Sequence, residues 1–128
     1  MIRFRALGFG LLTLLAACTR HVATHPPESG AEEVAAKYFT ALGSSDCVGI
    51  TSTSGGNLAK EIATNGCAAS LAIAKEHHLV FVATENLRVD GRDPNARLID
   101  VRLQSDGKEK RVIARVEQVG DAWKVVTL

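Results

Sequence analysis

The alternating pattern that decides the fold runs through residues 98–126, which read LIDVRLQSDGKEKRVIARVEQVGDAWKVV. From Ile99 to Leu103 every second residue is apolar, as expected of a strand with one buried face. The alternation resumes after the Ser-Asp-Gly turn at residues 105–107 and again after the Gly-Asp turn at residues 120–121. This stretch therefore predicts three antiparallel strands joined by hairpins.

A further strand is predicted before them, between Leu79 and Asp90, followed by a turn over residues 91–95. Its pattern places Leu79, Phe81, Ala83, Leu87 and Val89 on one face and Thr84, Asn86, Arg88 and Asp90 on the other. The predicted inward positions of the four strands are Phe81, Leu87, Val89, Ile99, Val101, Leu103, Val112, Ala114, Val116 and Val125. The acids of the sheet, such as Asp100 and Glu117, are expected on its solvated outer face.

Helices are predicted before the sheet. Ser29 and Glu32 have the spacing of a capping box, and apolar residues then recur at helical intervals until Gly43. The Ser, Thr and Gly residues that follow allow at most a short helical turn around Cys47, and two more helices are predicted over residues 57–63 and 67–77. The fold class is therefore α+β, with N-terminal helices packed on a four-stranded antiparallel sheet.

The beginning of the chain has the pattern of a signal peptide. Arg3 and Arg5 precede residues 6–17, a run with no charge and one polar residue. A membrane span needs roughly 20 apolar residues, so this shorter run predicts cleavage rather than a permanent span. Residues 1–17 are therefore assigned to a signal peptide.

The end of that run, Leu15-Ala16-Ala17-Cys18, resembles the lipobox of bacterial lipoproteins. The resemblance implies that Cys18 carries a diacylglyceryl group and becomes the first residue of the mature chain. Two acyl chains make a stable anchor, which predicts the extracytoplasmic side of a cell membrane or outer membrane as the location. The alternative is an unmodified thiol in an ordinary secretory signal. Residues 18–29 are expected to form a tether and residues 30–128 the folded domain.

Composition limits the classes of function. The chain of 128 residues is 46% hydrophobic and 23% charged, which is typical of one small globular domain. Fifteen basic and fourteen acidic residues give a net charge of +1, and Arg3 and Arg5 belong to the segment expected to be removed. Because no basic surface stands out, nucleic acid is excluded as the expected partner.

Two cysteines remain beside Cys18. An exported domain with one such pair favours a disulfide between Cys47 and Cys67. A redox or metal pair is the alternative, but the Cys-x-x-Cys spacing is absent, and zinc would need further ligands such as His77 and His78. Neighbouring residues on a helix point about 100° apart, so these two imidazoles are not expected to share one ion. His21 and His25 are expected to be exposed in the tether, and no metal or other cofactor is expected.

The domain resembles the nuclear transport factor 2-like, or SnoaL-like, cone fold of small actinobacterial lipoproteins. The resemblance rests on residues 33–42 as a long first helix, on Asp46-Cys47 after it, and on residues 120–126 at the end of the chain. It implies a pairing between a cysteine after the first helix and one before the sheet. It also implies that an enzyme of this family would place Asp, His or Tyr inside the cone, where Tyr38 is the best inward polar group and a possible pocket residue.

The remaining inward positions are aliphatic, so no catalytic residue is assigned. No Gly-x-Ser-x-Gly frame and no phosphate-binding glycine loop occurs in the sequence. The expected function is a non-catalytic binding or structural role in the cell envelope, with an envelope protein or an apolar ligand as partner at an edge or end of the sheet. The alternatives are a small isomerase or dehydratase, and an accessory domain that contacts wall polymer. The basic cluster of Lys108, Lys110 and Arg111 reads as a solvated strand face or as a contact for anionic lipid or polymer.

Overall fold

The computed structural model describes residues 26–128, so Cys18, His21 and His25 lie outside the described residues. Helices come first along the chain and strands follow. The helices are α1 (Ser29–Gly43), α2 (Cys47–Thr53), α3 (Gly56–Asn65) and α4 (Cys67–Glu76), and the strands are β1 (Val80–Asp90), β2 (Asp93–Ser105), β3 (Lys108–Val119) and β4 (Ala122–Thr127).

The strands form one open antiparallel sheet in the order β1-β2-β3-β4. The predicted α+β class and the four-stranded meander are confirmed. The β2–β3 hairpin turns through Asp106 and Gly107, whose φ angles of 52° and 76° lie in the left-handed region that a two-residue turn requires. The register pairs Val101 with Val112 and Val116 with Val125, so the aliphatic side chains share one face.

Helix α1 covers that face diagonally. A Cβ placed on Gly30 would lie 2.9 Å from Cδ1 of Trp123 on β4, and one placed on Gly43 would lie 2.8 Å from the carbonyl oxygen of Leu79, just before β1. Glycine therefore permits a close approach at both ends of the helix. The buried core between helices and sheet includes Ala31, Ala35, Tyr38, Phe39, Leu42, Ile50, Ile99, Val101, Leu103, Ala114, Val116, Trp123 and Val125.

Strand β1 departs from the predicted alternation because it is bulged twice. One irregularity lies between Phe81 and Ala83, so that Thr84 pairs with Val101 and shares its inner face, opposite to the prediction. A second lies between Glu85 and Arg88 and includes Asn86, with a φ of 52°. Each bulge adds a residue and exchanges the two faces of the strand beyond it.

Two residues at the end of β1 also differ from expectation. Val89, predicted inward, is 53% exposed, because α1 lies over β4 at that end of the sheet and leaves the β1 corner uncovered. Asp90, predicted on the solvated face, is only 4% exposed and lies beside Arg115. Phe81, Leu87 and Val112 pack against the core but are only partly buried.

The predicted capping box is wrong. Glu28, not Ser29, occupies the N-cap position of α1, and its side chain makes no cap hydrogen bond. The first amides are satisfied by the backbone instead, since Gly30 N donates to Pro27 O at 2.8 Å and Ala31 N donates to Glu28 O at 3.0 Å.

Helix α2 is longer than the short turn expected from its composition. Its Ser and Thr side chains bond backward to the helix rather than competing with it. Thr53 Oγ1 donates to Gly49 O at 2.7 Å, and Ser54 Oγ donates to Ile50 O at 2.6 Å. Asp46 caps the helix by accepting from Gly49 N at 3.0 Å.

Candidate functional site

Tyr38, the possible pocket residue, lies within the core. It is 2% exposed, and its ring meets Phe39 edge-on with 5.2 Å between the ring centroids. Burial, with a smaller contribution from the negative charge of Glu61, raises the pKa of the Tyr38 hydroxyl. The phenol is therefore neutral at physiological pH, and it lines none of the grooves described below.

Cys47 and Cys67 lie at disulfide distance, with 5.8 Å between their Cα atoms. Each is the first residue of its helix, α2 and α4 respectively. The pair therefore links two short helices that are separated along the chain by α3.

His77 and His78 converge on one carboxylate, although neighbouring helical residues were expected to diverge. Helix α4 has ended by this point, and His78 takes a left-handed φ of 48°. Nδ1 of His78 lies 2.9 Å from one carboxylate oxygen of Asp106, and Nδ1 of His77 lies 3.4 Å from the other. The bond with His78 makes the largest contribution to a lowered pKa of the Asp106 carboxyl.

These contacts join the end of α4 to the β2–β3 hairpin. The backbone supports the junction, because Asp106 N donates to His77 O at 2.7 Å. No group of three or more His, Cys, Asp or Glu residues in the part of the chain that the structure describes is arranged to hold a metal ion.

An open groove runs along α1, and we call it the α1 groove. It consists of a section of about 420 Å³ between α1 and α2, and a section of about 340 Å³ that continues to the start of β4. Glu33, Lys37, Ser52 and Thr53 line both sections, so the two are continuous. Sequence patterns did not reveal this groove, because it depends on how α2 lies against α1.

Charged side chains of both signs line the α1 groove, and most of them already have polar partners. Lys37 Nζ lies 3.0 Å from Glu33 Oε1. Lys124 Nζ donates to the carbonyl oxygen of Ser52, and Asp46 caps α2. A ligand would therefore meet a surface without strong net charge, which is mainly apolar between α1 and α2 and more polar towards β4.

The outer face of the sheet carries ion pairs rather than freely solvated acids. Asp100 lies 3.0 Å from Arg88, and Glu117 bonds to Arg115. Arg115 Nε also donates to Asp90 at 2.9 Å. The pKa of Asp90 is lowered, first by the backbone N–H of Arg92 and then by Arg115.

The basic cluster at the β2–β3 hairpin is exposed, as predicted. Lys108, Lys110 and Arg111 all lie at the surface. Arg111 lies 3.7 Å from Glu85 and 3.8 Å from Glu109, so its charge is balanced by acids on the same face.

The two edges of the sheet differ. The β4 edge is covered by the link between α2 and α3, where Gly55 N donates to Val125 O at 2.8 Å. Within residues 26–128 no strand pairs with the β1 edge, and the two bulges of β1 interrupt the regular ladder that a docking strand needs.

No protein-family model, no curated protein and no solved structure matches this chain. Among residues 26–128 there is no helix with the length and apolar character needed to cross a bilayer.

Proposed function

We propose that this protein is a lipid-anchored extracytoplasmic lipoprotein of the bacterial cell envelope with a non-catalytic binding role. The anchor is Cys18, by the resemblance of Leu15-Ala16-Ala17-Cys18 to a lipobox. The disulfide distance between Cys47 and Cys67 supports export, because such pairs persist in oxidising compartments.

The observation that carries the binding role is the packed interior. Ile99, Val101, Ala114, Val116 and Val125 are fully buried beneath α1. Turnover inside a cone would need an internal chamber with a poised acid or base, whereas a binding module needs only an outer surface. The α1 groove supplies that surface, and the mainly apolar lining of its section between α1 and α2 suits an envelope protein or an apolar ligand.

For the fold in finer terms, we propose an NTF2-like cone. A long first helix packed over one face of an antiparallel meander supports this assignment, as does the position of Cys47 soon after that helix. A crystal structure of the mature protein that superposes on a cone domain over α1 and the whole sheet is the expected result. Superposition on a different α+β fold would contradict it.

Fractionation of cells tests the anchor. We expect the wild-type chain, labelled metabolically with a fatty-acid analogue, to sediment with membranes and to carry the label. Cys18→Ser should lose both properties and enter the soluble extracytoplasmic fraction, whereas a matched Cys47→Ser variant should keep the label. A Cys18→Ser protein that still carries the lipid label would contradict the proposal.

Photo-crosslinking tests the α1 groove. A crosslinking side chain replaces Thr40 in the groove, and a matched control replaces Glu109 on the outer face of the sheet; both residues are exposed. We expect a discrete adduct from position 40 and none from position 109. The reverse result would place binding on the sheet, and an adduct released by wall hydrolase would favour the wall-polymer alternative.

A further inference from the structure

The first described residues are fastened to one end of the sheet. Trp123 Nε1 donates to the carbonyl oxygen of Pro27 at 3.1 Å. Arg97 Nε donates to Glu28 Oε1 at 2.8 Å, and the Arg97 guanidinium lies over the Trp123 ring, 5.4 Å from its centroid. We call these contacts the latch. They fix where the chain before Pro26 must leave the domain.

The latch lies at the end of the sheet that carries two of its three turns. Trp123 is the second residue of β4 and pairs with Gln118 of β3, close to the turn at Gly120. The β1–β2 turn at residues 91–92 lies at the same end, because the strands form a meander. The β2–β3 hairpin at Asp106 lies at the opposite end.

Chain length limits how the domain stands on a membrane. Cys18 and Pro26 are separated by eight peptide steps, which span at most about 29 Å whatever path they take. Ten residue steps along β3 separate Lys108 from Gln118, a distance of about 33 Å. With the strands upright and the hairpin on the bilayer, the latch would stand about 33 Å above the membrane, which is farther than the chain can span, about 29 Å.

From this geometry we propose that the latch end of the domain is the surface that faces the bilayer carrying the anchor. The β2–β3 hairpin then points away from that bilayer. This inference rests on the proposed lipid anchor at Cys18.

The side chains at the two ends fit this orientation. At the latch end Arg92, in the β1–β2 turn, and Val119, at the end of β3, are exposed, a mixture that a headgroup layer accommodates. At the opposite end, Lys108 and Lys110 lie far from the bilayer that carries the anchor. Their expected ligand is therefore not anionic lipid of that membrane.

Energy transfer to labelled lipid headgroups tests the orientation. The lipid-modified full chain is reconstituted in phosphatidylethanolamine–phosphatidylglycerol vesicles that contain a headgroup-bound acceptor. A donor fluorophore is attached through Asp121→Cys at the latch end or, in the matched variant, through Lys108→Cys at the hairpin; both positions are exposed. We expect severalfold greater transfer from position 121 than from position 108.

Equal transfer from the two positions, or greater transfer from position 108, would overturn the orientation while leaving the anchor intact. Failure of both proteins to float with the vesicles would instead overturn the anchor, and with it the orientation. The two failures are therefore distinguishable.

Breaking the latch tests its part in the orientation. Trp123→Phe keeps an aromatic ring but removes the N–H that donates to Pro27 O. This change should reduce the difference in energy transfer between donors at positions 121 and 108. Glu28→Gln, a change at an exposed residue, weakens the bond to Arg97 and serves where Trp123→Phe does not fold. If a folded latch variant keeps the full difference in energy transfer, the latch does not hold this end of the domain towards the bilayer.

Discussion

The layer formed by α2, α3 and α4 and the outer face of the sheet are stabilised in different ways. No charged residue occurs between Cys47 and Ala59 or between Ile62 and Ala74, and Val48 on α2 is 79% exposed. The outer face of the sheet instead carries a ladder of arginine–carboxylate pairs on strands that are already hydrogen-bonded to their neighbours. The difference indicates that the helical layer is held by its cysteine pair and by apolar packing, whereas the outer face of the sheet is held by many small polar contacts.

The largest effect is expected from removing the cysteine pair. Cys47→Ala/Cys67→Ala frees a loop with a sequence separation of 20, which the chain-entropy relation values at about 3 kcal/mol of unfolding free energy. Urea denaturation measures this loss. Hydrogen exchange should accelerate in α2 and α4 far more than in β2 and β3.

Reduction of the wild-type protein provides the matched control and should give the same pattern. An equal acceleration of exchange in helices and sheet would show that the two regions are not stabilised separately.

A smaller effect is expected from breaking one of the arginine–carboxylate pairs on the outer face of the sheet. Arg115→Met leaves the Asp90 carboxylate, which is 4% exposed, without its strongest side-chain partner and should lower Tm. The matched change Arg88→Met affects a more exposed pair and should lower Tm less. Thermal melts of the two variants give the comparison, and the opposite ranking would contradict the assigned role of Asp90.

The contribution of Asp90 to the stability of the folded protein should also depend on pH. Because the folded state lowers the pKa of this carboxyl, its stabilising effect is complete above the ordinary carboxyl pKa of about 4 and is lost as pH falls through the lower folded value. Asp90→Asn should therefore flatten the acid side of the Tm profile. A profile as steep as that of the wild type would show that other carboxyls produce it.

The junction between α4 and the hairpin should respond locally rather than globally. Asp106→Asn removes the carboxylate that both imidazoles share, but these side chains are largely exposed. We expect Tm to stay almost unchanged and amide exchange at His78 and Leu79 to rise. A change spread over the whole sheet would mean that the junction couples the two regions.

The smallest effect is expected at the uncovered corner of β1. Val89→Thr should change the unfolding free energy by less than about 0.5 kcal/mol, because the side chain is exposed. Val101→Thr, which places a hydroxyl in the fully buried core, is the matched contrast and should destabilise strongly. Denaturation curves that superpose for the two variants would contradict the conclusion that α1 buries Val101 and leaves Val89 uncovered.

Alternation predicted β2, β3 and β4 well because one of their faces is buried, because β2 and β3 pair without a register shift, and because the one shift between β3 and β4 lies at the end of β4. It failed on β1, where the bulges near Val82 and Asn86 have no dependable sequence signal beyond the tolerance of Asn for a positive φ. The burial of Asp90 and the convergence of His77 and His78 depend on contacts between distant segments. The α1 groove and the latch likewise arise from packing between elements, which periodicity alone does not specify.

The lipid anchor is tested most directly by the identity of the mature N-terminal peptide. Mass spectrometry of the protein purified from membranes should find Cys18 as the first residue, with a diacylglyceryl group on its sulfur. A mature chain that begins elsewhere, or that carries an unmodified Cys18, would contradict the lipid anchor on which the proposed function rests.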